Sequence, residues 1–387
     1  MLVRMHARGI MKAFSIEELR RAAQRRLPRA VFDFIDGGAE DEGTLRGNRA
    51  AFERIRLLPR VLVDVSSIDT ETSILGKTAR LPIAIAPTGA VGFGWRGGDI
   101  AIAKAAAALG IPYSLSMLAT AAIERIAREA PGRLWFQAYF LKQRDHTLGL
   151  IERARAAGYE ALIVTADVPV GGKRERDYRN DFALPFRYTA RNLLDFASRP
   201  AWALPMLFKG IPVMENLTGL AADAESAAAL ASSVARNNDA ALDWEVLKQV
   251  RDRWPGKMLV KGILRADDAE RAVALGCEGV IVSNHGGRQL DGAVSSLDAL
   301  PAIVRAVGGK ASVLMDGGVR RGSDVVKALA CGAEAAMIGR ATLYGVCAAG
   351  QPGAQRALEI LSDELVRCMQ LCGVRRIGDI GPELLFR

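Results

Sequence analysis

Gly279-Val280-Ile281-Val282-Ser283-Asn284-His285-Gly286-Gly287-Arg288-Gln289-Leu290-Asp291 changes character part-way along. Its first four residues are an apolar run of the kind that forms a strand buried on both faces. The rest carries a histidine, two glycines and an arginine. One of only three histidines in 387 residues therefore stands just past a strand end. A histidine accepts a proton near neutral pH. An arginine forks onto a carboxylate or a phosphate, and glycines let the backbone approach a ligand closely. Alone, these residues would read as a loop histidine beside a surface arginine. The rest of the chain points to the same place.

The apolar run is one of eight: 81–86, 113–116, 134–139, 161–165, 258–261, 279–283, 312–316 and 335–339. Between most of them lie stretches with helical apolar spacing, such as 267–275 and 323–330. Eight strand–helix units predict an α/β fold, a closed (β/α)8 TIM barrel. An open doubly wound sheet is the structural alternative, but no GxGxxG follows the first strand. Two segments break the repeat. Residues 15–57 read as an N-terminal helical segment, in which Leu27-Pro28 opens a helix and Gly37-Gly38 ends it. Residues 168–240 form a long loop after strand four, before a helix expected over 241–254, and such an insertion lies over the catalytic face. The expected organisation is an extension over 1–14 and one domain over 15–387 that carries the inserted loop 168–240.

Half the residues are hydrophobic, enough for a large core, and the net charge is +9. The basic residues are dispersed and not interleaved with aromatics, which argues against nucleic acid. A positive balance suits anionic ligands or an anionic membrane surface. The five cysteines are Cys277, Cys331, Cys347, Cys368 and Cys372. Only the last two are close, no histidine completes a metal set, and reduced thiols in the cytoplasm account for them. No signal peptide is expected from the opening residues, where Met5 and Met11 are alternative starts. No run of about 18 apolar residues is present to span a bilayer.

In such barrels chemistry sits at the C-terminal strand ends. Those ends carry, in order, Pro87-Thr88-Gly89, Ser116, Gln137 with Tyr139, Thr165 with Asp167, Lys261, Ser283 with His285, Asp316-Gly317-Gly318-Val319-Arg320, and Gly339-Arg340. Loops after strands seven and eight often bind phosphate through backbone N–H groups. Gly317, Gly318 and Gly339 permit that approach, and Arg320 and Arg340 supply charge. The other reading is turn glycines with surface arginines. A phosphate tail there would bring a cofactor ring to the barrel mouth, within reach of Lys261, Gln137 and Thr165. Arg174 and Arg288 suit a substrate carboxylate, and His285 is the candidate base. Asp167 is placed to orient it, though a strand-end Asp is often a helix cap. Tyr139 either donates to a substrate oxygen or fills space.

Three runs carry a resemblance: Phe32-Asp33-Phe34-Ile35-Asp36-Gly37-Gly38-Ala39-Glu40-Asp41-Glu42, the run Ser283 to Asp291, and Asp316-Gly317-Gly318-Val319-Arg320-Arg321-Gly322. Together they resemble the FMN-dependent L-2-hydroxy acid dehydrogenase/oxidase family over nearly the whole chain. The resemblance implies FMN as cofactor and oxidation of an L-2-hydroxy acid, mandelate-like or lactate-like, to the 2-oxo acid. It implies His285 as active-site base, Asp167 as its partner, Tyr139 near the substrate hydroxyl, and Arg174 and Arg288 on the carboxylate. It places Lys261 beside the flavin N1/O2 edge and Pro87, Thr88, Gly89, Ser116, Gln137 and Thr165 on the ring. Asp316, Gly317, Gly318, Arg320, Gly339 and Arg340, with Ser283 nearby, complete the cofactor set; no metal is implied.

One departure stands out. The family usually has tyrosine where this chain has Phe34, and the lost hydrogen bond to a carboxylate is worth about 1.5–3 kcal/mol. Weaker carboxylate binding, or a larger apolar substrate, is expected. Gly89 is similar to the glycine of quinone-coupled members, where many oxidases have alanine, so a quinone is the expected acceptor and oxygen the alternative. The stretch 193–209 mixes apolar and aromatic residues with flanking Arg and Lys. It reads as a segment lying in a membrane interface, on the inner face of the cell membrane, or as a lid on its own barrel. A homo-oligomer is also implied. Two other classes stay open. One is a different FMN barrel reaction such as an isomerase, and the other is a flavin-binding protein without catalysis. The paired arginines and the His285–Asp167 pair argue against them.

Overall fold

The computed structural model describes residues 12–182, 189–218 and 237–386. Most of the extension expected over 1–14 lies outside them, as do 183–188 and 219–236 of the inserted segment. All eight apolar runs are strands: β1 Ile83–Thr88, β2 Tyr113–Ser116, β3 Leu134–Ala138, β4 Ala161–Thr165, β5 Lys257–Ile263, β6 Gly279–Val282, β7 Ser312–Met315 and β8 Ala335–Ile338. Each pairs in parallel with the next, and β8 closes on β1. The barrel is therefore complete and has no edge. β1 starts two residues later than expected, after Pro82, which has no N–H for the ladder. β5 runs past Lys261 because Gly262, at φ +104°, makes a bulge that lets Ile263 pair again.

Among the described residues three helices precede the barrel: α1 Ile16–Arg26, α2 Arg29–Asp36 and α3 Gly43–Arg54. The side chain of Ser15 caps α1 by accepting from the Glu18 N–H at 3.2 Å. Pro28 precedes α2 and Gly37 ends it, as the sequence predicts. The outer layer is α4 Gly98–Ala108, α5 Ile123–Glu129 and α6 Arg144–Ala156, after β1, β2 and β3. The described part of the insertion carries α7 Ala190–Ala197 and α8 Pro200–Lys209. Then come α9 Trp244–Arg253, α10 Ala266–Ala274, α11 Ser296–Val307, α12 Gly322–Ala330, α13 Arg340–Ala349 and α14 Gln351–Cys372. None of the described helices is long and apolar enough to cross a membrane.

Strand alternation sorts the core into two regions. Outward residues such as Ile85, Leu162, Val260 and Val282 pack under the helices, in one cluster with Leu19, Val31 and Phe52 of the N-terminal segment. Inward residues Ala84, Trp135, Ile163, Leu259, Ile281, Leu314 and Met337 fill the barrel. Sequence reasoning missed the plug beneath them, a hairpin of Thr72–Ile74 and Lys77–Ala79. Its turn residues Leu75 and Gly76 both have positive φ, the geometry of a tight two-residue hairpin. Ile74 and Leu75 enter the barrel bottom. Glu160 then takes the indole N–H of Trp135 at 2.6 Å and the Arg133 guanidinium at 2.8 Å.

One buried carboxylate was also missed. Asp99, at the start of α4, is fully buried and accepts from the Thr120 N–H at 3.1 Å and its hydroxyl at 2.5 Å. Its other oxygen has no hydrogen-bond partner among the described residues. Burial pushes the carboxyl from 3.8 up to about 6. Its raised folded value means that it favours the fold most below pH 4 and that this contribution fades as the pH passes 6. The Asp99→Asn variant should lack this dependence. Urea unfolding should show it gaining on wild type by about 2 kcal/mol between pH 4.5 and pH 7.5.

Candidate active site

The inward parity that fills the barrel with apolar groups continues upward as a polar layer. Ser116, Gln137, Thr165, Lys261, Ser283 and Asp316 lie two residues beyond inward positions of their strands, and all are buried. They form two chains. In one, Ser116 Oγ donates to Gln137 Oε1 at 3.0 Å and Gln137 Nε2 donates to Thr165 Oγ1 at 2.9 Å. In the other, Lys261 Nζ donates to Ser283 Oγ at 2.8 Å and Ser283 Oγ donates to Asp316 Oδ1 at 2.7 Å. Lys261 Nζ also lies 3.2 Å from Asp316 Oδ2. Burial alone would lower the lysine pKa, but Asp316 and Asp167 outweigh it and hold it above its ordinary value. The layer thus ends in a permanently charged ammonium with apolar barrel beneath it.

His285 stands at the rim in the left-handed region, φ +58°, followed by Gly286 and Gly287 at +61° and +74°. For a residue with a Cβ this conformation carries strain, and the surroundings must enforce it. Ser283 Oγ accepts the His285 N–H at 3.0 Å. The ring Nδ1 lies 3.0 Å from Asp167 Oδ1, and Nε2 lies 3.3 Å from the Tyr139 hydroxyl. A carboxylate on Nδ1 favours the proton there and leaves Nε2 as acceptor. Burial raises the Asp167 carboxyl, but the charges of His285 and Lys261 together carry it below its ordinary value. Burial pushes the Tyr139 phenol up to about 12, so it keeps its proton at neutral pH. The bulge at Gly262 fixes Asp167, since a Cβ there would lie 2.5 Å from Asp167 Cβ.

Arg174 and Arg288 also face the rim. Arg174 Nε donates to Asp177 Oδ2 at 2.7 Å. Arg288 Nη1 donates to the carbonyls of Phe34 at 2.7 Å and Gly37 at 3.0 Å, and no ion pair joins it to a carboxylate among the described residues. Burial first, then the charges of Arg174 and Arg340, pulls the Arg288 guanidinium below its ordinary value. Such a cation favours an incoming anion.

The glycine loops fit a phosphate. Gly317 and Gly318 adopt φ +95° and +88°, and a Cβ on Gly318 would strike the Asn48 carbonyl. Gly339 precedes α13, whose first turn has no side-chain cap, so its N–H groups are free for an anion. Arg320 Nη1 donates to the carbonyl of its neighbour Val319, at 2.7 Å. Arg340 is used differently from expectation: its three nitrogens donate to the carbonyls of Ile35, Gly286 and Gly37 at 3.1, 2.9 and 2.7 Å. It clamps the His285 loop to α2. Pro87 and Thr88 end β1, and Gly89 packs closely on the next loop, where a Cβ would lie 2.9 Å from Leu118 Cβ.

Several residues that hold the site carried no sequence signal of their role. Asp291 accepts the N–H groups of Gly43 at 3.1 Å and Thr44 at 2.7 Å, and so caps α3 from 248 residues away. Asn48 and Asn284 exchange both amide bonds, at 2.8 and 2.7 Å. Gly262, Asp177 and Gln289 complete the set; Gln289 accepts the Gly172 N–H at 2.8 Å and ties the inserted loop to the histidine loop.

The model of the FMN-dependent dehydrogenase family matches residues 23–387. The chain belongs to that family. It is 43% identical over 372 residues to (S)-mandelate dehydrogenase of Pseudomonas putida, covering 96% of this chain and 93% of that one. It is also 43% identical over 381 residues to L-lactate oxidase of a Nostoc species, covering 97% and 99%. A crystal structure of the monotopic membrane protein (S)-mandelate dehydrogenase superimposes with a TM-score of 0.93 at 43% identity, covering 97% and 99%. The family is FMN-dependent, and the buried polar layer, the Lys261 ammonium and the uncapped start of α13 suit a flavin ring and a phosphate. In Gly262→Ala the new methyl displaces Asp167. Anaerobic flavin reduction should slow about 10- to 100-fold with FMN content unchanged, a fall of the size expected when the Asp167 contact with His285 is misplaced.

Proposed function

We propose that this enzyme oxidises an L-2-hydroxy acid to the 2-oxo acid. The observation that carries this reading is one rim holding a histidine backed by a carboxylate beside two cations, of which Arg288 has no carboxylate partner among the described residues. Bound FMN supplies the two-electron acceptor. In our reading Ser116, Gln137, Thr165 and Lys261 hold its ring, with Pro87, Thr88 and Gly89 alongside. Asp316, Gly317, Gly318, Arg320 and Gly339 hold its ribityl phosphate. Arg174 and Arg288 take the substrate carboxylate and fix which hydrogen faces the ring. His285 Nε2 takes the proton from the substrate. Asp167 then stabilises the charged imidazolium through Nδ1, while Tyr139, still protonated, donates to the substrate oxygen. The aromatic surroundings described below favour a mandelate-like over a lactate-like acid. His285→Ala should purify with FMN bound and show no bleaching of the flavin bands by (S)-mandelate in anaerobic stopped-flow. Bleaching at the wild-type rate would sink the assignment of the base.

We further propose that the enzyme works on a membrane surface and passes electrons to a quinone dissolved there. Helices α7 and α8 present Leu193, Leu194, Leu204, Leu207 and Phe208 outward, with Leu207 and Phe208 75% and 79% exposed. Arg191 and Lys209 flank them. Their inner side is fixed: Trp202 Nε1 donates to the Phe93 carbonyl at 2.7 Å, and Asp195 accepts the Arg29 N–H at 2.7 Å. A firmly mounted apolar strip edged by cations suits an anionic lipid interface. Replacing Leu207 and Phe208 together by Ser should abolish co-sedimentation with phosphatidylglycerol vesicles and leave flavin reduction in solution unchanged.

A further inference from the structure

Phe34 has an unusual set of neighbours. Its ring stacks on Phe182 with centroids 4.5 Å apart and planes at 19°. The guanidinium carbons of Arg288 and Arg174 lie 5.2 and 6.0 Å from its centroid. Its own carbonyl also accepts from Arg288 at 2.7 Å. Two like charges therefore share one aromatic ring. Unaided, they would repel and drift apart before a substrate arrived. An aromatic face is negative at its centre and attracts guanidinium groups, most strongly where water is partly excluded. Each arginine is otherwise tethered on one side only, Arg174 to Asp177 and Arg288 to backbone carbonyls. A phenylalanine has no hydroxyl to offer a carboxylate, so its contribution to anion binding must come through the cations.

We propose that Phe34 is a positioning residue for the carboxylate site: its ring, backed by Phe182, holds Arg174 and Arg288 side by side ready for the anion. This rests on the hydroxy acid reading given above. The contribution is uniform binding, present before and during reaction, so it belongs in KM rather than kcat.

The test uses FMN-loaded enzyme with Phe34→Leu, Phe34→Met and Phe34→Tyr. Two quantities are measured: steady-state kinetics with (S)-mandelate and an artificial acceptor, and the Kd of oxalate from the change it causes in the flavin spectrum. Leu and Met keep bulk and remove the ring face. They should raise KM and the oxalate Kd together by about tenfold, with kcat within about twofold of wild type. Tyr keeps the ring face and should leave both constants no higher than in wild type. Leu or Met variants with unchanged KM and Kd, or with kcat lowered and KM unmoved, overturn the role of the ring. A Tyr variant as weak as Leu does the same. Wild-type enzyme that neither bleaches with (S)-mandelate nor binds oxalate overturns the hydroxy acid reading itself, and this inference with it.

Discussion

The two-residue period of a strand, held in register around a closed ring, is the constraint on which everything else here depends. Because every strand pairs with the next in parallel, residues of one parity face inward at matching heights. Low in the barrel those positions are Ile163, Leu259 and Leu314. One inward step higher they are Thr165, Lys261 and Asp316. A single step along the chain thus converts dry core into a hydrogen-bonded floor. Burial there works against the Lys261 charge, and Asp316 beside it with Asp167 above outweigh that cost. A shift of register by one residue in β5 would send that lysine out under the helices, away from Asp316.

The barrel alone does not complete the site. The loop from His285 to Asp291 is held from outside the repeat, by residues before β1. Ala39 N–H reaches the Gly287 carbonyl at 2.9 Å, Asn48 pairs with Asn284, and α3 begins on Asp291. Arg340, just after β8, draws Ile35, Gly37 and Gly286 together. These contacts hold His285 at positive φ, a conformation it would leave if free. Strain at His285 is thus matched by rigidity in the N-terminal helices, and the His285–Asp167 distance is a property of both.

What could be read from the sequence follows from the range of the interactions involved. Local signals were clear: apolar runs of strand length, Pro28 before α2, Gly37 after it. The strand-end positions of Lys261, Thr165 and His285 followed from the repeat, and their closeness from closure of the barrel. Long-range partners were not visible. Asp291 was quoted as part of a motif, yet its target lies 248 residues upstream, and no local pattern names the helix it caps. Arg340 reads as a charge for phosphate, and its guanidinium also meets backbone carbonyls, which carry no side-chain identity to search for. Gly262 carries no local signal of its role, since a glycine in a strand reads as weakness. Its reason is a side chain on the neighbouring strand's loop, Asp167. The bottom hairpin was missed since its strands are only three residues each.

The cap that Asp291 places on α3 also has a consequence for biosynthesis. The first helices leave the ribosome early, but the carboxylate that satisfies the start of α3 comes 248 residues later, and the Arg340 that secures α2 comes later still. Chain entropy must be given up across most of the molecule before these contacts return anything. A nascent chain halted before residue 291 therefore carries N-terminal helices with exposed apolar faces and open backbone groups. Such a chain is a natural client for chaperones, and its ordering should come in one late step that forms the His285 loop and its support together.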